Sequence, residues 1–219
     1  MKRTLLVIFL LILSGCQTTY SARSGLLYPD LANSTGVDLK VGVVTSDQSE
    51  ITRSSIANRT RLSITDVSET FANRLRDNKI FDVVVFPYSE HSYFNPDIVL
   101  VLKTTIIEDE NFAENMTKAV AHGASFFVLK PFLPIKFGID VKLEVTAHNV
   151  DGEIINKYSY EDLYELSYNT LIPNSEKYKE WPEKAKLHAI DNIIRIILED
   201  RENIIEFNPT DNIISAAHQ

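Results

Sequence analysis

Cys16 is the single thiol in 219 residues, and it ends the stretch Leu11-Ile12-Leu13-Ser14-Gly15-Cys16. A lone cysteine has no intramolecular disulfide partner, so its available chemistry is that of a thiolate nucleophile. His91, His122, His148, His188 and His218 are the other side chains able to ligate a metal or move a proton near neutral pH. No two of them have the spacing of a zinc-binding helix pair. His148 shares a strand face with Glu144, and a solvated face explains that pairing without a metal. Glu108-Asp109-Glu110 reads as a solvated loop at a strand end, because calcium needs oxygen ligands arrayed around a loop. No Gly-x-Ser-x-Gly, no phosphate-cradling glycine loop and no Cys-His arrangement occurs. Catalytic residues, metal and cofactor are therefore all expected to be none.

The position of Cys16 has a better explanation. Met1-Lys2-Arg3 is a short positive start, and Thr4 to Leu13 supplies about ten residues of almost wholly apolar chain, the form of a secretory signal. It is too short for a spanning helix, which needs roughly 20 apolar residues. Leu13-Ser14-Gly15-Cys16 resembles a bacterial lipobox. The resemblance implies cleavage between Gly15 and Cys16, a diacylglycerol on the sulfur and an acylated new amino terminus. Gln17 at the following position implies, by the sorting rule of Gram-negative lipoproteins, an outer-membrane address facing the periplasm.

Charge narrows the partners. The net charge is -8, and losing Lys2 and Arg3 makes the mature chain more acidic still. Without runs of Lys or Arg, nucleic-acid binding has little electrostatic support. An acidic chain is not drawn to anionic headgroups either, so acyl chains must supply the hold, each buried methylene contributing about 0.8 kcal/mol.

The elements follow from periodicity. Residues 1–15 are a cleaved signal, and 16–36 a lipidated cysteine with a flexible tether of small polar residues. Residues 37–204 form a single α+β domain, and 205–219 a loose tail. Within the domain, 38–44 alternate as a strand, and Thr45 to Ile64 make a polar loop carrying Arg53, Arg59 and Arg61, available to an anionic wall or headgroup. Asp66 to Asn78 form a helix capped by Thr65 or Asp66, with Val67, Phe71, Ala72 and Leu75 on its buried face. Residues 80–86 and 98–102 are strands, the second apolar throughout and so central in a sheet. Ile139 to Val150 alternates cleanly and turns at Asp151-Gly152 into a return strand bearing Tyr158, Tyr160 and Tyr164. A last helix begins at Pro182, with Leu187, Ile190, Ile193, Ile194, Ile197 and Leu198 inward. The expected fold is a mixed sheet with two main helices on one face and a long antiparallel hairpin.

"FANRLRDNKIFDVVVFPYSE" and "NPDIVLVLKTTI" resemble the small domain of CsgG-like and TolB-amino-terminal-like envelope proteins, through Leu75, Phe81-Asp82-Val83 and Asp97-Ile98-Val99-Leu100. "FVLKPFLPI" followed by "DVKLEVTAHNVDGEIINKYSYED" is similar to Gram-negative lipoproteins with a Leu/Pro-rich segment before an Asp-Gly hairpin. These resemblances imply envelope assembly, export or wall regulation through protein contacts, and transfer no catalytic residue.

Ala119 to Phe137 is the most apolar stretch after the signal. It reads as a core strand with a Pro-bounded turn, as an exposed patch for a protein partner, or as a segment dipping into the membrane. Phe126, Phe127, Phe132 and Leu133 are the contact residues in the last two readings. The functional expectation is a lipid-anchored scaffold or accessory subunit working through envelope proteins, with homo-oligomerisation open. The alternatives are a subunit of an oligomeric export channel, its pore built from the hairpin, and an envelope enzyme gathering His91 or His148 with carboxylates in a pocket.

Overall fold

The computed structural model describes residues 18–31, 36–53, 62–91, 93–110, 112–125, 133–168 and 175–206. Seven strands form one mixed sheet. They are β1 (Thr18–Ala22), β2 (Val37–Thr45), β3 (Glu50–Arg53), β4 (Phe81–Val85), β5 (Ile98–Glu110), β6 (Ile135–Asn149) and β7 (Ile154–Tyr168). The order is β1-β7-β6-β5-β2-β4, with β3 also paired to β5. Strands β2, β3 and β4 join by parallel pairings, whereas β5, β6, β7 and β1 pair antiparallel. The helices among the described residues are α1 (Ile64–Asp77), α2 (Phe112–Ala124), α3 (Ser175–Glu199) and α4 (Arg201–Glu206).

One face of the sheet carries the core. Leu39, Val41 and Val43 of β2, Leu100 and Leu102 of β5, and Val141, Leu143 and Val145 of β6 are buried there. Registers such as Leu100 against Ala147 and Leu102 against Val145 keep that face continuous across the strands. Helix α1 presents Val67, Phe71, Ala72 and Leu75 to it, and α3 presents Ile190, Ile193, Ile194 and Ile197. The α+β architecture, with two main helices on one face and a long hairpin, is as the alternation required. Gly152, at a φ of 81°, makes the hairpin turn that the Asp-Gly pair implied.

Six expectations are corrected. Residues 18–22, expected in a flexible tether, form β1, paired with Tyr164–Tyr168 along the edge of β7. Backbone pairing to an open edge orders polar residues that have no periodicity of their own. Within the expected loop 45–64, Glu50–Arg53 form β3, which runs beside Thr105–Glu108 where β2 ends. Arg59 and Arg61 lie outside the described residues.

Helix α1 begins two residues earlier than expected, because Ser63 caps it by accepting from the Asp66 amide at 3.1 Å. Ala119–Ala124, in the segment read first as a core strand, belong to α2. Helix α3 begins at Ser175 and contains Pro182, because packing outweighs the one backbone hydrogen bond that a proline removes. The first two residues of the tail expected from 205 belong to α4, which runs to Glu206, and the rest lie outside the described residues.

Candidate functional site

Among the described residues, chemistry-bearing side chains gather where the arm leaving β1 crosses α3. β1 ends at Ala22, and the Arg23 amide donates to the Leu163 carbonyl at 3.1 Å. Ser24 donates through its hydroxyl to the Asp162 carboxylate, and its amide approaches the other oxygen of that group at 3.3 Å. The Tyr160 hydroxyl donates to Asp162 at 3.1 Å. Asp162 is buried beneath the arm, so these donors replace the water it would otherwise hold.

One turn further, His188 of α3 closes the arm. Its Nε2 lies 3.2 Å from the Leu27 carbonyl, and its Nδ1 lies 2.9 Å from the Tyr164 hydroxyl. A carbonyl can only accept, so Nε2 donates to Leu27, and in the neutral ring Nδ1 then accepts from Tyr164. The edges and faces of Tyr28 and Tyr164 pack against the ring at 5.3 and 5.6 Å between centroids. Asn192, one turn along α3, donates to the His188 carbonyl at 2.9 Å.

Beside this clasp lies a cavity of about 230 Å³, walled by Tyr20, Leu26, Tyr28, Tyr164, Trp181 and Lys184. Burial raises the hydroxyl pKa values of Tyr20, Tyr28 and Tyr164 above the ordinary tyrosine value, so all three are neutral donors at physiological pH. The Lys184 ammonium lies 4.9 Å from the Tyr20 ring centroid and pairs with Glu180 at 3.1 Å. The hydrogen bond to Glu180 raises its pKa, so it stays charged. Such a cavity has aromatic walls, one cation at its mouth and no ionised base. It suits an uncharged, flat or aliphatic group, and both ring nitrogens of His188 are already engaged by the chain itself.

The residues singled out from sequence are dispersed. Gly15, Cys16, Phe126, Phe127 and Phe132 lie outside the described residues. Leu133 is half-buried, and its carbonyl meets His122 Nε2 at 3.0 Å. His91 is exposed, and His148 turns its Nδ1 to the Gly152 carbonyl at 3.1 Å. Glu144 pairs with Lys103 and Lys142 at 3.2 and 3.3 Å. Arg53 is committed to the Leu62 carbonyl and to Glu108, whose side chain is buried at the end of β5 and not in a solvated loop. Among the described residues no group of three His, Cys, Asp or Glu side chains could hold a metal ion. No described helix is long and apolar enough to cross a membrane.

No family model and no curated protein matches the sequence. Solved structures of a PelC dodecamer from Paraburkholderia phytofirmans, in two crystal forms, are similar to it at 14% identity. One has a TM-score of 0.33 and covers 81% of this chain and 96% of its own; the other has 0.31, 79% and 99%. At that degree of overlap no residue role passes between the chains.

The clasp residues escaped the sequence reading for a definite reason. His188 and Asn192 fall on the apolar stripe of α3, and the partners of the His188 ring, Tyr164 of β7 and Leu27 of the arm, come from distant parts of the chain. A signal was present: four polar residues, Lys186, His188, Asp191 and Asn192, interrupt a helix face that is otherwise alanine and isoleucine.

Proposed function

We propose that this chain is an envelope lipoprotein, acylated at Cys16 and held on the outer membrane facing the periplasm, which acts through protein contacts and not by catalysis. Its support is one juxtaposition: the lipobox cysteine stands two residues before Thr18, the first residue of a strand built into the sheet. An acyl group there would hold the domain close against the bilayer, with little free tether between. The polar groups near the arm are spent on holding it, which favours a mechanical role for the site over a reactive one.

The test is mass spectrometry of the exported protein from its native membrane. The expected product begins at Cys16 and carries diacylglyceryl and acyl mass. A Cys16→Ala chain should accumulate as an uncleaved precursor. An exported chain with an unmodified thiol overturns the anchor. The non-catalytic part is tested by crosslinking intact membranes: a recurrent envelope protein lost with the Cys16→Ala chain supports it, and turnover of wall or lipid by the purified lipoprotein overturns it.

A further inference from the structure

Helix α2 is built inside out. Asn115, Lys118 and His122 recur at i, i+3 and i+7 and so share one face. That face turns toward the protein. Asn115 exchanges hydrogen bonds with the Lys136 backbone, donating to its carbonyl at 2.8 Å and accepting from its amide at 3.2 Å. His122 is 3% exposed and meets the Leu133 carbonyl. On the outward side stand Met116, 51% exposed, and Val120, 66% exposed, one turn apart, followed by exposed Gly123 and Ala124. A surface helix of a globular protein places its apolar stripe inward and its polar residues outward, so this inversion marks a face awaiting a nonpolar surface.

The position of α2 selects that surface. Thr18 pairs with Tyr168, and Tyr168 pairs with Ile135, so the first residues of β1 and β6 lie about two strand spacings apart, roughly 10 Å, at one end of the sheet. Helix α2 is tied to that end through Lys136. Cys16 is two residues from Thr18, and two residues span at most about 7.6 Å between α-carbons. Its acidic and basic groups cancel, Glu114 pairing with Lys118 at 2.6 Å, so burial against lipid strands no net charge.

We infer that the Met116–Val120 face of α2 beds into the bilayer beside the acylated Cys16, a second contact that fixes how the domain stands on the membrane. This rests on the acylation of Cys16 proposed above. The helix lies in the interface and does not span it, and the hairpin turn at Val150, at the opposite end of β6, points away from the lipid.

With Cys16 acylated, a Met116→Cys, Val120→Cys or Val150→Cys chain carries one free thiol. Each full-length lipoprotein, purified from membranes, is labelled with a polarity-sensitive fluorophore and reconstituted into phosphatidylethanolamine–phosphatidylglycerol vesicles containing nitroxide-labelled lipid. The expected result is blue-shifted emission at positions 116 and 120, with quenching several-fold stronger than at 150. A water-like, unquenched label at 116 and 120 on chemically verified acylated protein overturns the membrane contact and leaves the anchor standing. A label protected in proportion to protein concentration, and not quenched by lipid, assigns the face to a second copy and overturns it equally. Absence of acyl mass on Cys16 overturns both readings. Met116→Asp with Val120→Asp provides the converse test. Circular dichroism should be unchanged, and a label at 119 should become more water-like.

Discussion

Arg74 of α1 grips Asp191 of α3 through two parallel hydrogen bonds, Nε to Oδ1 at 2.7 Å and Nη2 to Oδ2 at 2.5 Å. The carboxylate is 2% exposed and the guanidinium about one-third exposed, so the arginine bridges solvent to a buried charge. The fork geometry of guanidinium fits a carboxylate bidentately in a way that an ammonium does not. This pair joins the two helices that cover the sheet.

Arg74→Ala should therefore destabilise the domain by about 3–5 kcal/mol, because it leaves Asp191 buried without a counter-charge. Arg74→Lys should recover only part of that. Arg74→Met with Asp191→Leu should be milder than either single change, since a nonpolar pair of similar size removes the desolvation cost as well. Urea unfolding of the parent, Arg74→Met, Asp191→Leu and the double variant measures the coupling. Additive single effects would show that the pair holds nothing in common.

Alkaline pH should loosen the packing around β7. Burial raises the pKa values of Tyr158, Tyr160 and Tyr164 above the ordinary tyrosine value. Their native-state contribution is complete below about pH 10, where the unfolded chain also keeps its phenolic protons. Above that, the unfolded chain releases protons that the folded one retains, so stability falls as pH rises toward the folded-state values. Tyrosinate absorbance should grow together with the loss of circular dichroism, and Tyr164→Phe should make stability fall less steeply with pH. Asp200 works in the opposite range. Burial raises its pKa, but hydrogen bonds from Tyr158, Asn156 and Asn203 outweigh that and leave it below the ordinary carboxylate value, so its contribution is present at neutral pH and lost on acidification.

These predictions draw on residues of unequal legibility. The β6–β7 hairpin announced itself because one buried face and one wet face force a strict alternation, and the Asp151-Gly152 turn sets its register. The apolar face of α1 was equally plain. The pattern failed where a partner from elsewhere in the chain decides the outcome. Thr18–Ala22 have no signature of a strand until β7 offers its edge. Lys186 reads as a surface residue, yet it is 5% exposed and bridges Asp66 and Glu183 at 2.7 and 2.6 Å. Helix α2 is the sharpest case: Ala119 to Ala124 look like core by composition, but polar Asn115 and His122 hold the protein and the apolar side faces out.

A buried glycine of β2, between the core residues Val41 and Val43, supports another test. A Cβ on Gly42 of β2 would stand 2.6 Å from Cγ and 2.9 Å from Cδ1 of the Tyr88 ring. Tyr88 is held there by its amide, which donates to the Val43 carbonyl at 3.0 Å, and by an edge contact with Phe94 at 6.3 Å. Gly42→Ala must push the ring aside and should cost about 1–3 kcal/mol. Adding Tyr88→Ala should make the same substitution nearly neutral. A Gly42→Ala chain as stable as the parent would show that the ring yields freely.

The clasp on the arm governs how firmly an acylated Cys16 would be joined to the domain, and it can be opened selectively. His188→Ala removes the acceptor of Tyr164 and the donor to the Leu27 carbonyl together, leaving a buried tyrosine hydroxyl and a freed arm. Tyr164→Phe removes only one of these bonds and strands His188 Nδ1, a cost of about 1–3 kcal/mol. Trypsin reports the opening, because the Arg23 side chain is exposed but its backbone is pinned to Leu163 and must leave the sheet edge to be cut. The rate of appearance of a fragment beginning at Ser24, read by mass spectrometry, should rise about tenfold for each 1.4 kcal/mol lost from the closed arm in the fast-reclosing regime. The expected order is His188→Ala fastest, Tyr164→Phe intermediate and the parent slowest, with cleavage at Arg195 on α3 unchanged. Equal rates at Arg23 in all three would mean that β1 pairing alone holds the arm, and that the histidine serves only the packing of α3.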